Sequence, residues 1–372
     1  MVILWFLLGA AALCLLQRSL FQRLWFRRLS IQVRFDVKSV AAGEPVTLTE
    51  RLENRKPMSL PVVSYEYGLN RNFRPYSQKG NGAPLAVRYR LALPANRAVT
   101  GKAELPGLPR GIYSLSTVTL QAQDLFSRQP CVRTFPSPST LTVCPKKLPA
   151  AQIQLPFRLI LGSILTRRYS LEDPFEIRSV RPYESYDSMR SINWNASAKT
   201  GAWKVNQHDY TTDEALCLVL DLENGTPEQR EAAICLASSL CQLFLSRGVA
   251  VNLRTNARSC INGRPIELPL GSGISHLSVI DENLAQITVG AAVKPFAAYL
   301  DGLANAKGGR QRYTAVSASN DPQVLRAFDA LCADGGGYYL YVQGTAPAPA
   351  GSRRFTVLPW QPEDNLNTRE AV

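Results

Sequence analysis

Residues 215–222 read ALCLVLDL, an apolar run broken only by Asp221. A run without polar alternation is a strand buried on both faces rather than one with a wet side. ENGTPEQREAAICLASSLCQLFLSRG follows, over 223–248. Thr226 stands as N-cap and Pro227 as first helical residue, and Gly248 stops the helix. The alternation continues. VAVNLRT (249–255) is a strand, and SCINGRPIEL (259–268) is a hairpin turning at Asn262-Gly263. Helical stretches lie near 276–288 and 295–305, then RYTAVSAS (312–319) is a strand. Asp321 caps a helix that ends in glycines, and YYLYVQG (338–344) is a last strand. Strands alternating with helices imply a mostly parallel, Rossmann-like α/β sheet covered on both faces. Residues 213–360 are read as that domain and 361–372 as a flexible tail.

Upstream the period changes to two. IQVRFDV (31–37), PVTLTERL (45–52) and LAVRYRLAL (85–93) are strands separated by Gly, Pro and Asn clusters. Residues 30–145 therefore read as a small antiparallel β-sandwich. Residues 146–212 connect the two domains. Within them RLILGSILTRRYS (158–170) suits either a short helix or a strap.

Met1 to Leu16 carry no charged side chain, and Arg18, Arg23, Arg27 and Arg28 follow. A secretory signal places its positive charge before the apolar stretch. This order instead suggests a retained single-pass anchor over 1–29, with Arg18 snorkelling to the headgroups. The positive-inside rule then puts the N-terminus outside and the body in the cytoplasm. Leu20, Phe21, Leu24, Trp25 and Phe26 interleave with the arginines and suit an anionic lipid surface. The net charge of +13 favours anionic partners. Much of the positive charge near the N-terminus has this membrane explanation, so nucleic acid is not the expected partner. None of the eight cysteines forms a C-x-x-C pair, and several sit in apolar patterns as reduced core residues do.

Catalytic signals are weak. His208 and His276 are the two histidines, and no G-x-S-x-G, H-E-x-x-H, P-loop or dinucleotide glycine motif occurs. His276 reads as a surface or capping residue. At the end of the first α/β strand, a D-x-S-x-S sequence would offer hard oxygen ligands to a divalent metal. Here Glu223 and Gly225 replace the serines, leaving Asp221 and Glu223 as weak candidate ligands, and no cofactor is expected.

The segment from Arg178 to Tyr210, RSVRPYESYDSMRSINWNASAKTGAWKVNQHDY, is dense in cations and aromatics. Asp187 and Arg190 are three apart and can pair over one helical turn. Ile192 and Trp194 are two apart and in extended chain share a face, so Trp194 is expected to anchor a strap to the sheet. Arg178, Arg181, Lys199 and Lys204 are then surplus cations for an acidic partner. The competing reading is a hydrolase or transferase that uses Glu184 and Asp187.

This segment resembles the signature of the bacterial "domain of unknown function 58" family, roughly R-x-Y-x-x-G-D-x-x-R-x-I-x-W-x-x-[ST]-A-[RK]. The match falls on Arg181, Tyr183, Asp187, Arg190, Ile192, Trp194, Ser197, Ala198 and Lys199. Tyr186 stands where the family usually has glycine, and Lys199 where arginine is commoner. Arg110-Gly-Ile-Tyr113 and Asp124-Leu-Phe126 are similar to a hairpin of the same family. The resemblance implies a von Willebrand factor A-like α/β domain behind the sandwich and the membrane anchor. It also implies a non-catalytic adaptor working with a MoxR-type AAA+ ATPase, often on envelope protein complexes. Family members often carry two N-terminal spans, whereas this chain shows one.

Overall fold

The structure is a computed structural model. It describes residues 2–72, 74–75, 86–123, 130–168, 172–185, 187–210, 215–291, 293–306, 311–333, 336–344 and 347–362. The chain divides into two compact units. The first takes Met1–Lys146 with Ser259–Gly263 and Asp281–Thr288, and the second takes the remainder.

In the first unit, α1 (Val2–Leu24) contains one stretch, Trp5–Leu24, long and apolar enough to cross a membrane by length and composition. At about 1.5 Å per residue a 20-residue stretch spans about 30 Å, the hydrocarbon thickness. Its last turn is different. Phe21 and the following Trp25 are buried in the core of the first unit, so the helix ends inside the domain rather than on a free tether. Lys56 Nζ donates to the Trp25 carbonyl and is itself buried. Desolvation holds its ammonium down at about 8.

Alternating residues build the two layers of this unit. β1 (Leu29–Phe35), β3 (Val46–Asn54) and β8 (Arg97–Leu105) form an antiparallel three-stranded sheet in the order β1-β3-β8. The other sheet has the order β2 (Ser39–Ala41), β10 (Cys131–Cys144), β9 (Gly111–Gln123), β4 (Leu60–Gly68), β7 (Ala86–Leu93). The short β5 (Asn70–Arg71) and β6 (Arg74–Pro75) extend it from β9. β2 runs parallel to β10, and the remaining pairs are antiparallel. Ile31, Val33, Leu48 and Leu52 from one sheet and Val63, Leu115, Val118 and Leu120 from the other fill the core. An irregularity between Pro136 and Ser139 frees Ser137, whose Oγ accepts from the Val33 N–H at 2.8 Å and donates to the Val33 carbonyl at 3.0 Å. That hydroxyl satisfies backbone groups of the other sheet.

In the second unit, β13 (Ala215–Leu220), β14 (Val251–Arg258), β15 (Pro265–Gly271), β16 (Gln311–Ser317), β17 (Gly337–Val342) and β18 (Phe355–Trp360) make one sheet in the order β15-β14-β13-β16-β17-β18. β11 (Glu172–Pro182) and β12 (Lys204–Tyr210) pair separately and antiparallel. The helices are α2 (Ala150–Arg168), α3 (Trp194–Thr200), α4 (Pro227–Ser246), α5 (Gly273–Ala285), which ends in the first unit, α6 (Phe296–Asn305) and α7 (Pro322–Leu331). The 158–170 stretch resolves as helix through Arg168, despite Pro156. Proline lacks the N–H that would bond the Gln152 carbonyl. The Trp360 indole N–H takes that place at 3.0 Å.

The expected fold class, a von Willebrand factor A-like Rossmann domain behind a small sandwich, is corrected by this topology. Strand makes up 40% and helix 32% of the chain, and the strands are spread over four mixed or antiparallel sheets. Among the described residues, parallel pairing is confined to β14-β13-β16-β17-β18 and to β2-β10. β15 returns antiparallel to β14 and makes that sheet mixed. Apolar runs alternating with helices show that strands are buried, not how many antiparallel strands surround them. The tail beyond 362 and the Asp124–Phe126 part of the upstream motif lie outside the described residues.

Candidate functional site

The Arg178–Tyr210 segment is a β-ladder with an ordered crossing. β11 and β12 pair Arg181 with Val205 and Pro182 with Lys204. Between them run a 3-10 turn at Met189–Ser191 and α3, which ends at Gly201 in the left-handed region with φ 67°. Asn193 organises the crossing. Its Oδ1 accepts the Ala196 N–H at 2.9 Å as the N-cap of α3. Its Nδ2 donates to Asn206 Oδ1 at 2.6 Å, and its backbone N–H bonds the Lys204 carbonyl at 2.8 Å. The buried Ser197 hydroxyl donates to the Asn193 carbonyl and accepts the Lys204 N–H, both at 2.8 Å. Helix, cap and ladder thus share one set of hydrogen bonds.

Asp187 does not pair with Arg190 as the three-residue spacing suggests. Arg181 takes it with a two-pronged guanidinium contact at 2.7 and 2.6 Å. Asp187 Oδ2 also accepts the Glu184 N–H at 2.9 Å. The Arg181 hydrogen bond holds the Asp187 carboxyl below its ordinary range, with help from the Glu184 amide and opposition from desolvation. A carboxylate so stabilised is a poor general acid, and Glu184 is exposed to solvent. Asp187 N–H bonds the Glu184 carbonyl at 2.9 Å, and that local contact with the Arg181 pair holds Asp187 toward β11 rather than toward Arg190.

Trp194 corrects a second expectation. Ile192 is buried and bridges to Val205, but Trp194 is 63% exposed. The Asn193 cap starts a helix at Trp194, so the two residues no longer share an extended face. Met189 and Trp203 are exposed as well, at 58% and 53%. Trp203 meets the Tyr183 ring edge-on at 5.4 Å between centroids, and Tyr183 N–H bonds the Trp203 carbonyl at 2.9 Å. Sequence reasoning missed Met189 and Trp203. The signal for Trp203 was an aromatic residue between the Gly201 helix stop and a strand. Arg190 and Lys199 are exposed, and among the described residues neither makes an ion pair. Lys204 is half-buried on β12. Arg178 lies on β11, with its side chain outside what is described, as is Tyr186.

The two candidate metal ligands are occupied by the protein itself. Asp221 is 1% exposed. It accepts the Glu223 N–H at 2.9 Å, Asn224 Nδ2 at 2.9 Å and the Ser317 hydroxyl at 2.6 Å. Burial raises its carboxyl against those three donors. Glu223 Oε2 accepts the Phe296 N–H at the start of α6, at 2.6 Å. Among the described residues no group of three or more His, Cys, Asp or Glu side chains is placed to hold a metal. His276 is not a cap. It lies within α5, with Nε2 2.9 Å from the Val251 carbonyl. Its ring covers Gly271, where a Cβ would come within 2.5 Å of Nδ1. The side chain of His208 lies outside what is described.

The upstream Arg110-Gly-Ile-Tyr113 motif is structural. Arg110 is buried, and its Nη1 donates to the carbonyls of Leu284 and, at 2.9 Å, Ile287, in the 281–288 segment of the same unit. A cation at the carbonyl end of a helix also meets the negative end of its dipole. Gly111 has φ 155° and lies against Arg71, so a Cβ would come within 3.0 Å of Arg71 Nε. Tyr113 OH donates to the Pro109 carbonyl at 2.9 Å.

No family model and no curated protein matches the chain. Similar solved structures are β-sandwich-like domains covering about a third of it. The CARDB domain of the PF1109 protein from Pyrococcus furiosus is 11% identical, over 32% of this chain and 96% of that one, with a TM-score of 0.20. The PapD-like domain 7 of human CEP192 is 14% identical, over 31% and 84%, with a TM-score of 0.19. The bacterial hydrophobin BslA is 13% identical, over 32% and 97%, with a TM-score of 0.20. At such scores these likenesses carry no functional argument.

Proposed function

We propose that the chain is a membrane-anchored, non-catalytic adaptor. Its Arg181–Lys204 crossing docks an acidic protein surface, that of a MoxR-type AAA+ ATPase by the resemblance of the signature. The supporting observation is the exposure of Trp194, Trp203 and Met189 in the same crossing as the exposed Arg190 and Lys199, which make no ion pair among the described residues, on a backbone held by Asn193 and Ser197. Exposed tryptophan and arginine on a rigid frame are the residues that dominate protein interfaces. The basic flank of α1 orients the body to the cytoplasmic side in this reading. Arg181 is excluded from the docking set because Asp187 holds it; its role is to shape the turn.

The test is co-purification of the intact protein from detergent extracts with and without ATP, with the AAA+ ATPase identified by mass spectrometry. The paired substitution Trp194→Ala with Arg190→Glu should reduce capture at least tenfold while thermal unfolding stays unchanged. Undiminished capture by that variant would remove the docking role.

A further inference from the structure

The end of the sandwich that receives α1 is built from segments far apart in sequence. Arg28 has φ 50°, in the left-handed region, and turns the chain from the helix into β1. β1, β3 and β8 then bring Leu29, Asn54 and Arg97 into one row at that end of their sheet. The Arg55 N–H bonds the Arg28 carbonyl at 2.9 Å, and the Asn96 N–H bonds the Lys56 carbonyl at 3.0 Å, so the turns beyond the row close beside α1. Arg133 arrives from β10, with its guanidinium carbon 4.0 Å from the centroid of the Phe26 ring. Arg23, Arg27, Arg28, Arg97 and Arg133 are exposed, and among the described residues none makes an ion pair. Lys56 adds a buried ammonium that donates to the Trp25 carbonyl. Glu53, one row further in, is already held by Arg55 at 2.9 Å. The far end of the sheet, at Thr47, lies about 23 Å along β3 at ~3.3 Å per residue. It is mixed in sign, with Asp36, Lys38 and Glu104.

This charge sits where a bilayer carries its phosphates. Phe21 and Trp25 are packed into the sandwich core, so no free linker separates the sandwich from the end of Trp5–Leu24. With that stretch across a bilayer, the arginine-bearing end stands at the headgroup layer, about 5–8 Å deep. Stacking on Phe26 keeps the Arg133 charge, and a guanidinium can meet phosphate with two parallel hydrogen bonds. We propose that this end of the sandwich docks on the headgroups of anionic phospholipid, with Arg97 and Arg133 binding phosphate alongside Arg27 and Arg28. The chain order brings only the arginines that follow the apolar run to a lipid surface. Arg97 and Arg133 reach it through strand pairing and the Phe26 contact. The inference rests on the reading of Trp5–Leu24 as a membrane span and is independent of the docking role of the signature.

The test is titration of the intact protein in detergent with dioleoyl phosphatidylglycerol or dioleoyl phosphatidylcholine, with bound lipid counted by native mass spectrometry. Phosphatidylglycerol should bind at least tenfold more tightly than the zwitterionic lipid. The double substitution Arg97→Gln with Arg133→Gln should weaken phosphatidylglycerol binding about tenfold or more, since each arginine near an anionic surface contributes to the attraction. Lys38→Gln with Lys102→Gln removes the same charge away from α1 and should leave binding within about twofold of the wild type. Thermal unfolding without added lipid checks that both variants are folded. Equal binding of the two lipids by the wild-type chain, or equal loss in the two variants, would overturn the assignment. Displacement of bound phosphatidylglycerol by millimolar inorganic phosphate would overturn it as well, since the face would then select free anions. Alkali washing of membranes reports the span separately. Release of the wild-type chain would remove the span reading and this inference with it, whereas a retained chain without lipid preference would remove this inference alone.

Discussion

Lys56 is the residue at which burial and charge conflict most openly. Its ammonium is desolvated beneath the end of α1 and holds its proton only to about pH 8, against an ordinary 10.5. The unfolded chain therefore binds more protons between those values, and stability rises with pH across that window. Comparison with Lys56→Met isolates the effect. The stability difference should move in favour of the wild type as pH rises from about 8 to 10 and stay flat between 6 and 7, read by chemical denaturation at each pH. A flat difference throughout would show that Lys56 is solvated in the folded chain. Nothing in ENRKP (53–57) distinguishes Lys56 from Arg55 beside it, which is exposed and paired with Glu53. The burial comes from Trp25, 31 residues away.

At the scale of elements, the two capped helices show what local sequence can and cannot reveal. α4 begins with a complete capping box, Thr226 with Gln229. All its parts lie within four residues, and the N-terminus was legible from Thr226-Pro227. α3 also has a side-chain cap, but Asn193 is tied across the ladder to Lys204 and Asn206. Those partners are neighbours only once β11 and β12 pair. Asn193→Ala should loosen α3 by about 1–2 kcal/mol, the usual effect of losing a cap. Amide exchange at Ala196 and Ser197 should then quicken by about tenfold or more, while amides of α4 remain protected. Unchanged exchange in α3 would show that the ladder alone holds the crossing. The final strand, Phe355–Trp360, escaped sequence reading for a related reason. It follows a proline-rich stretch and lacks clear alternation, and its partner β17 alone makes it a strand.

For the whole molecule, the first helix combines two features. Trp5–Leu24 has the length and apolarity of a membrane span, while Phe21 and Trp25 belong to the sandwich core. Two truncations separate these roles. Removing residues 1–20 should release the protein from alkali-washed membranes and leave its unfolding temperature nearly unchanged. Removing residues 1–28 should also lower that temperature sharply, because losing a buried Phe or Trp side chain typically costs about 3–5 kcal/mol. Equal stability of the two truncations would show that the helix end is not part of the core.

The sequence by itself determined the features that depend on neighbours along the chain. These are the apolar N-terminal run with its arginine flank, the period-two strands of the first unit, the buried run at Ala215–Leu220, the Thr226 and Asp321 caps, and the turn at Asn262-Gly263. Only the tertiary structure decided which sheet each strand joins, and so the mixed and antiparallel sheets in place of the expected class. It also decided that Arg181 rather than Arg190 holds Asp187, that Trp194 faces solvent, and that Arg133 stacks on Phe26 beside the end of α1. The physical reason is common to all of these. Hydrophobic period and capping are local free-energy preferences, whereas a charge's partner and a ring's exposure depend on surfaces that meet only when distant segments pack.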